Sequence, residues 1–372
     1  MPRLPSIQLP TEVLPTDGRF GSGPSKVRSE AVLELGAGGS SYLGTSHRRL
    51  TVKSVVAAIR EGLTTYYDLP PGFEVILGLG GATAFWDAAA FGLIEQRSQH
   101  PVFGVFSRKF ADVVAAAPHL GPPVVVESDP GTHPVVHPNP EVDVYALTHN
   151  ETTTGVAMPV ARPEGVEGLV VVDATSAAGA IEVSPSAFDA YYFSPQKAFG
   201  SEGGLWISLC SPLAISRIER LASQRWIPPF LNLRTALDNS RKDQTYNTPA
   251  LATLFLMRRQ LDWMLEMGGM AWAAARSRHT SGILYDWAEA SDYATPFVAD
   301  PEQRSPTVVT IDLSDAVDAN IVAGVLRANG IVDTESYRTL GRNQLRVATF
   351  PNIEPSDAEK LTRAIDYIAE RL

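Results

Sequence analysis

The sequence predicts an α/β fold: a large domain built on a mixed, mostly parallel sheet flanked by helices, followed by a smaller α+β domain. Three observations carry this. Between residues 74 and 209, short apolar runs alternate with stretches of helical periodicity, the pattern of repeated βα units. Several runs, such as Val170-Val-Val, are continuously apolar, as strands buried on both faces are. From about residue 295 the pattern changes to strand, helix, strand, helix.

Taken in order, residues 1–20 hold several prolines and little periodicity and read as an extended arm that packs with the small domain; Gly21-Ser-Gly-Pro24 is a turn. Residues 51–67 show helical spacing through Val52, Val55, Val56, Ile59 and Leu63. A strand at 74–77 leads to a helix at 83–96, and a strand at 102–105 to a helix at 107–116. Strands follow at 124–126, 142–147, 169–172, 190–193 and 205–209. Helices are predicted at 212–222, at 248–267 and from 270 to about 288. A strand at 308–311, a helix at 316–329 stopped by Asn329-Gly330, a strand at 344–348 and a helix at 355–372 complete the chain. The expected division is an arm at 1–20, a large domain at 21–294 and a small domain at 295–372.

Composition narrows the function classes. With 44% apolar and 19% charged residues the chain is globular. A net charge of −10 disfavours a general nucleic-acid partner, which needs a basic surface. It leaves room for a small anionic substrate, because a site can be locally basic. One cysteine, Cys210, excludes an intrachain disulfide and a cysteine zinc site; it falls in an apparent strand and reads as a core residue. His133, His137 and His149 are scattered without a second ligand at metal spacing, so no metal is expected. No charged-then-apolar leader and no bilayer-length apolar stretch is present, and the expected location is the cytoplasm, with no membrane contact.

Three segments carry chemistry. Leu77-Gly-Leu-Gly-Gly-Ala82-Thr83 joins a strand to a helix through glycines, where free N–H groups can receive a phosphate. An ordinary turn with a threonine cap explains the same residues. Asp173 ends an apolar strand, and Lys197 follows an aromatic strand. A capping aspartate and a solvated surface lysine are the ordinary readings of each alone. In combination they fall on one sheet edge, the edge where open α/β sheets bind ligands. Pyridoxal phosphate (PLP) chemistry needs such a pair: a lysine amine to bond the cofactor aldehyde and a carboxylate to hold the ring nitrogen protonated.

The set Asp173-Ala-Thr-Ser, Ser194-Pro-Gln-Lys197 and Asn247-Thr-Pro249 resembles the PLP-dependent aminotransferases of fold type I, class V. Within class V the chain resembles the phosphoserine aminotransferase family, most closely its actinobacterial branch. Gly21-Ser-Gly-Pro-Ser-Lys26, Gly44-Thr-Ser-His47-Arg48, Gly80-Gly-Ala-Thr-Ala-Phe85 and His149-Asn-Glu-Thr152-Thr-Thr-Gly155 support this, and the resemblance spans nearly the whole chain. It implies that Lys197 is the Schiff-base lysine and that Asp173 pairs with the ring nitrogen. Thr152 would bond the ring hydroxyl, and Gln196, Ala82 and Thr83 the phosphate. Phe106 stands where the family places a stacking tryptophan. Asn247 and Thr248, at the start of the long helix, would reach the cofactor of a neighbouring subunit. The local reading of Thr248-Pro249 as cap and first helical residue is compatible with that.

The implied reaction is reversible amino transfer between glutamate and 3-phosphohydroxypyruvate, giving O-phospho-L-serine and 2-oxoglutarate in serine biosynthesis, with a related role in forming 4-phosphohydroxy-L-threonine for pyridoxine synthesis. Such substrates need cationic donors. The resemblance offers His47 and Arg48, supplied by the partner of a homodimer with shared sites, and Arg338 and Arg346. Tyr337 stands where the family pattern has a histidine, and Arg342 in the longer 339–344 loop could compensate. The rival readings are an alanine–glyoxylate type transaminase, a lyase of the desulfurase kind, which needs a mobile nucleophilic cysteine, and a non-enzymatic protein that keeps the fold.

Overall fold

The computed structural model describes residues 4–165 and 167–372, so the first three residues of the expected arm lie outside it. In chain order the elements are α1 (Ser29–Tyr42), α2 (Leu50–Tyr66), β1 (Glu74–Leu79), α3 (Gly81–Gly92), β2 (Ser98–Val102), α4 (Val105–Ala116), β3 (Val124–Glu127) and β4 (Val144–Thr148). A short hairpin of β5 (Asn150–Glu151) and β6 (Val156–Ala157) precedes β7 (Leu169–Asp173), β8 (Ala190–Phe193) and β9 (Leu205–Cys210). Then come α5 (Pro212–Gln224), α6 (Leu233–Ser240), α7 (Leu251–Glu266) and α8 (Gly269–Ala290). The chain finishes with β10 (Ala294–Pro296), β11 (Val308–Leu313), α9 (Ala319–Ala328), β12 (Gln344–Ala348) and α10 (Pro355–Ala369).

Seven strands form the large sheet, in the order β1-β9-β8-β7-β4-β2-β3. β8, β7, β4, β2 and β3 pair in parallel, and only β9 runs against its neighbours β8 and β1. Alternate residues of each strand face opposite layers, as strand geometry requires. Val170 and Val172 pack with α2 and α7 residues such as Ile59 and Leu261. Leu169 and Val171 pack on the other face with Phe85, Phe110 and Leu237. Both faces are therefore covered by helices, which is why these strands read as unbroken apolar runs.

A second sheet, β10-β11-β12, is antiparallel. Its core includes Val309, Ile311, Leu345 and Leu361, with Leu9 and Phe20 from the beginning of the chain among them. The Phe20 N–H donates to the Val332 carbonyl at 3.2 Å and the Ala348 N–H to the Phe20 carbonyl at 3.0 Å. The Leu9 N–H donates to Asn329 Oδ1 at 2.9 Å. Helix α8 belongs to both cores, with Ala273 in the first and Leu284 and Ala288 in the second.

Several boundaries differ from the sequence expectations. The strand expected at 102–105 is Ser98–Val102, and its Gln99 to Val102 pair with β3. Two of its polar residues satisfy each other, Ser98 Oγ and His100 Nε2 at 2.8 Å. Helix α3 begins at Gly81 rather than Thr83, and α7 at Leu251 rather than Thr248, with Ala250 at the capping position. Thr248 is therefore not the cap of that helix. Helices α1 and α6 were not expected from the sequence.

Candidate active site

The carboxyl ends of the parallel strands converge on one cavity of about 350 Å³. Helix α3 starts directly after β1, with Gly80 at its cap in a left-handed conformation, φ 103°. Only glycine adopts that conformation without strain. The turn leaves the first N–H groups of α3 facing the cavity edge, where Gly80, Gly81, Ala82 and Thr83 line it with Ser194 and Gln196. A helix start of this kind favours an anion.

Asp173, the last residue of β7, lies at the floor, buried. Its two oxygens are held by three donors. The Trp86 indole N–H donates to Oδ2 at 3.1 Å, and the Thr175 N–H and hydroxyl donate to Oδ1 at 3.0 and 2.6 Å. Three donors on two oxygens fix the orientation of the carboxyl group.

Lys197 follows β8 and is 6% exposed. Its Nζ donates to Thr152 Oγ1 at 2.6 Å and lies 5.7 Å from the centre of the Phe106 ring. Burial, and secondarily the charge of Arg346, lowers its pKa to about 7, with Asp173 and Glu151 acting against this. The amine is thus partly neutral, and nucleophilic, near pH 7. The loop carrying it is clipped to the start of the chain. The Ser25 N–H donates to the Gln196 carbonyl at 2.8 Å, and the Ser25 hydroxyl to the Lys197 carbonyl at 2.6 Å. Gly23 lies so close above Lys197 that a Cβ there would stand 2.9 Å from Cε.

Glu151 fixes the opposite wall. It accepts from the N–H groups of Phe106 and Ser107 at 3.1 and 2.9 Å, from the Ser107 hydroxyl at 3.0 Å, and from the Thr153 N–H and hydroxyl at 3.2 and 2.9 Å. Complete burial pushes its pKa up, against those hydrogen bonds. One carboxylate thereby ties the helix start bearing Phe106 to the segment bearing Thr152.

Arg346 of β12 completes the lining. Its Nη1 donates to the Thr152 carbonyl at 3.2 Å, its guanidinium lies 5.3 Å from the centre of the Tyr337 ring, and its buried Nε has no partner. Gln196 Oε1, Asn150 Oδ1 and Ser22 Oγ, also from lining residues, are likewise buried without partners. Buried polar atoms are rarely left so, and four around one cavity mark a place shaped for a polar guest.

The structure thus brings together Ala82, Thr83, Phe106, Thr152, Asp173, Gln196, Lys197 and Arg346. It does not bring Arg338 to the cavity. That side chain is exposed and lines a separate open depression with Asp315, Asp318 and Glu335, while Tyr337 takes the cavity side of the loop. Arg342 does not compensate: it is paired with Asp312 and rests 4.6 Å from the centre of the Phe297 ring. His47, Arg48, Asn247 and Thr248 are also outside this cavity; of these, Thr248 Oγ1 lies 3.3 Å from His47 Nδ1. Trp86, which no motif in the sequence points to, lines the cavity, as does Tyr337, the residue standing where the family pattern has a histidine. Trp86 carried a signal only in its place one turn into the helix after the glycines. His149 is buried against Tyr191, with Nδ1 3.0 Å from the hydroxyl. Among the described residues no cluster of three or more His, Cys, Asp or Glu could hold a metal, and no helix is long and apolar enough to cross a membrane.

The profile of the class-V aminotransferases matches residues 136–334. A putative phosphoserine aminotransferase from Mycolicibacterium vanbaalenii is 54% identical over 369 residues, covering 99% of each chain. A phosphoserine aminotransferase from Rhodococcus jostii is 56% identical over 366 residues, covering 98% of each. Among solved structures, a phosphoserine aminotransferase from Cytophaga hutchinsonii superposes with a TM-score of 0.87 at 22% identity, covering 94% of this chain and 99% of that one; the likeness at that identity concerns the fold. The chain belongs to the class-V aminotransferase family. Within it, the chain falls among the phosphoserine aminotransferases.

Proposed function

We propose that the chain is a PLP-dependent transaminase that exchanges the amino group between glutamate and 3-phosphohydroxypyruvate, yielding O-phospho-L-serine and 2-oxoglutarate. The observation that carries this is the facing of Lys197 and Asp173 across one cavity, in a chain more than half identical to relatives named for that activity. The residues fit the cofactor. The glycine-led start of α3, with Thr83, Ser194 and the unpartnered Gln196, suits its phosphate. Asp173, already held by Trp86 and Thr175, suits the ring nitrogen, and Phe106 offers a face for stacking.

PLP, when bound, supplies an electron sink for the substrate Cα. The chain's own residues do the rest. Asp173 would hold the protonated ring nitrogen of the bound cofactor. Lys197 Nζ, when free and neutral, would take the proton from the substrate Cα and pass it on toward the cofactor side of the same bond system. Thr152 Oγ1 receives the amine in a fixed position. Arg346 is the one guanidinium among the lining residues and binds the carboxylate common to both amino acids through its open Nε edge.

The proposal extends to a homodimer whose cavities are completed by His47 and Arg48 of the neighbouring copy. Supporting this, His47 and Thr248 touch at an exposed surface, and the adjoining Leu50 and Tyr246 leave 80% and 44% of their area open. Exposed apolar side chains beside functional segments favour a contact surface.

Amino transfer from O-phospho-L-serine to 2-oxoglutarate tests the reading. We expect turnover with phosphoserine, far less with serine or with alanine plus glyoxylate, and none in Lys197→Ala. Equal use of serine and phosphoserine would reject the substrate assignment; normal turnover in Lys197→Ala would reject the mechanism.

A further inference from the structure

We infer that Tyr337 is a positioning residue that sets the affinity for amino-acid substrates by holding Arg346 in register. The inference rests on the transaminase reading above and adds to it a residue outside the Lys197 and Asp173 pair. The ring of Tyr337 meets two other groups. It packs edge to face on Phe106, with centroids 6.1 Å apart and planes at 63°. The Arg346 guanidinium stands 5.3 Å from its centre. Such a cation–aromatic contact orients a guanidinium without using any of its N–H donors. That matters here because Arg346 has no carboxylate partner: its one hydrogen bond goes to the Thr152 carbonyl, and its Nε is left open.

The backbone prepares this arrangement. The Arg346 N–H donates to the Thr334 carbonyl at 2.9 Å, and Glu335 bridges to Leu345, so the segment before Tyr337 runs alongside β12. The Leu340 N–H then donates to the Tyr337 carbonyl at 2.9 Å, turning the chain away. Tyr337 is left facing the cavity while Arg338 faces out. The neighbouring acid–base groups do not replace this function. Glu335 is engaged with Arg327, and Arg342 with Asp312. An arginine held by a ring and one carbonyl keeps its fork free for an incoming carboxylate, whereas one paired with an acid would have to break that pair first.

The test is a double-substitution cycle on Tyr337 and Arg346, read separately with O-phosphoserine, glutamate and O-phosphoethanolamine, which lacks the carboxylate. Tyr337→Leu should raise KM for both amino acids about tenfold and change kcat less than about threefold. Tyr337→Phe, which keeps the ring, should restore KM. In an Arg346→Lys background Tyr337→Leu should have little further effect, because the interaction it removes is already gone. Inhibition by O-phosphoethanolamine should be unchanged by Tyr337→Leu. The inference is overturned if Tyr337→Phe is as impaired as Tyr337→Leu, if the two substitutions are additive, or if the phosphoethanolamine constant shifts equally. The cofactor absorption band and melting temperature of each variant separate a folding defect from these outcomes. Should Tyr337→Leu not fold, Tyr337→Met in the same cycle decides the matter. If the wild type uses glutamate but not phosphoserine, the substrate assignment falls while the glutamate arm still decides the role of Tyr337.

Discussion

Lys197 Nζ donates to Thr152 Oγ1 at 2.6 Å inside a cavity where Arg346 approaches the same threonine through its backbone carbonyl. Two cationic side chains thus share one residue, and the buried amine yields, its pKa lowered to about 7 by burial first and Arg346 second. In the cofactor-free protein the folded chain binds less of a proton than the unfolded chain between about 7 and 10.5. This group's penalty is therefore largest below pH 7 and is relieved as pH rises toward 10.5, by on the order of a few kcal/mol in total. Urea denaturation of the cofactor-free protein at pH 7 and pH 9.5 should show the gain, and Lys197→Met should lose it. An identical pH slope in both proteins would contradict the assignment of the shift to Lys197.

Trp86 gives Asp173 one of its three hydrogen bonds, 3.1 Å from the indole N–H to Oδ2. Trp86→Phe keeps the ring packed against Phe110 and removes only that donor. Turnover should fall about tenfold, corresponding to ~1.4 kcal/mol, with KM little changed. Steady-state kinetics at saturating cofactor check this; unchanged kcat would show that the two Thr175 donors suffice.

The proposed sharing of cavities between two copies predicts complementation. Lys197→Ala and Arg48→Ala subunits, each impaired alone at low phosphoserine, should recover activity when dissociated together and reassembled. Random pairing makes half the dimers mixed, each with one intact site, so recovery should approach about a quarter of the wild-type rate. No recovery in verified mixed dimers would place Arg48 outside any cavity completed by a neighbour.

Cys210 ends β9, buried, with burial pushing its thiol up to about 12. The native protein should resist alkylation at pH 8, and Cys210→Ala should retain amino transfer within about twofold, since a buried, protonated thiol is a poor nucleophile. Loss of turnover on alkylation of the folded protein would revive the desulfurase-like alternative.

What the sequence disclosed follows from burial. β7 and β8 are covered on both faces, so they stand out as apolar runs, and Asp173, which ends β7, and Lys197, which follows β8, are conspicuous for their polarity. β2 lacks that contrast: Ser98, Gln99 and His100 are all buried, and a mutual hydrogen bond offsets the cost for Ser98 and His100 alone. Helix α1 was hidden by Gly36, Gly38 and Gly39, which read as loop; its Ala31 is buried against Leu256 of α7, and that packing stands where helix propensity is weak. The opposite facing of Tyr337 and Arg338 depends on how their segment lies along β12, which no spacing in the sequence encodes. The same holds for Trp86, whose role arises only when α3 is laid over the end of β7.

The clip between Ser25 and the Lys197 loop has a further effect on how this protein is made. Leu9 and Phe20 are translated long before Leu345, Leu361 and Ile365, the neighbours with which they pack. The glycine turn that roofs Lys197 is anchored by that packing. Chemical competence therefore waits for the segment from Leu345 to Ile365, and a polypeptide terminated before it, however well its large sheet has formed, is left without Arg346 and without the anchorage of its roof.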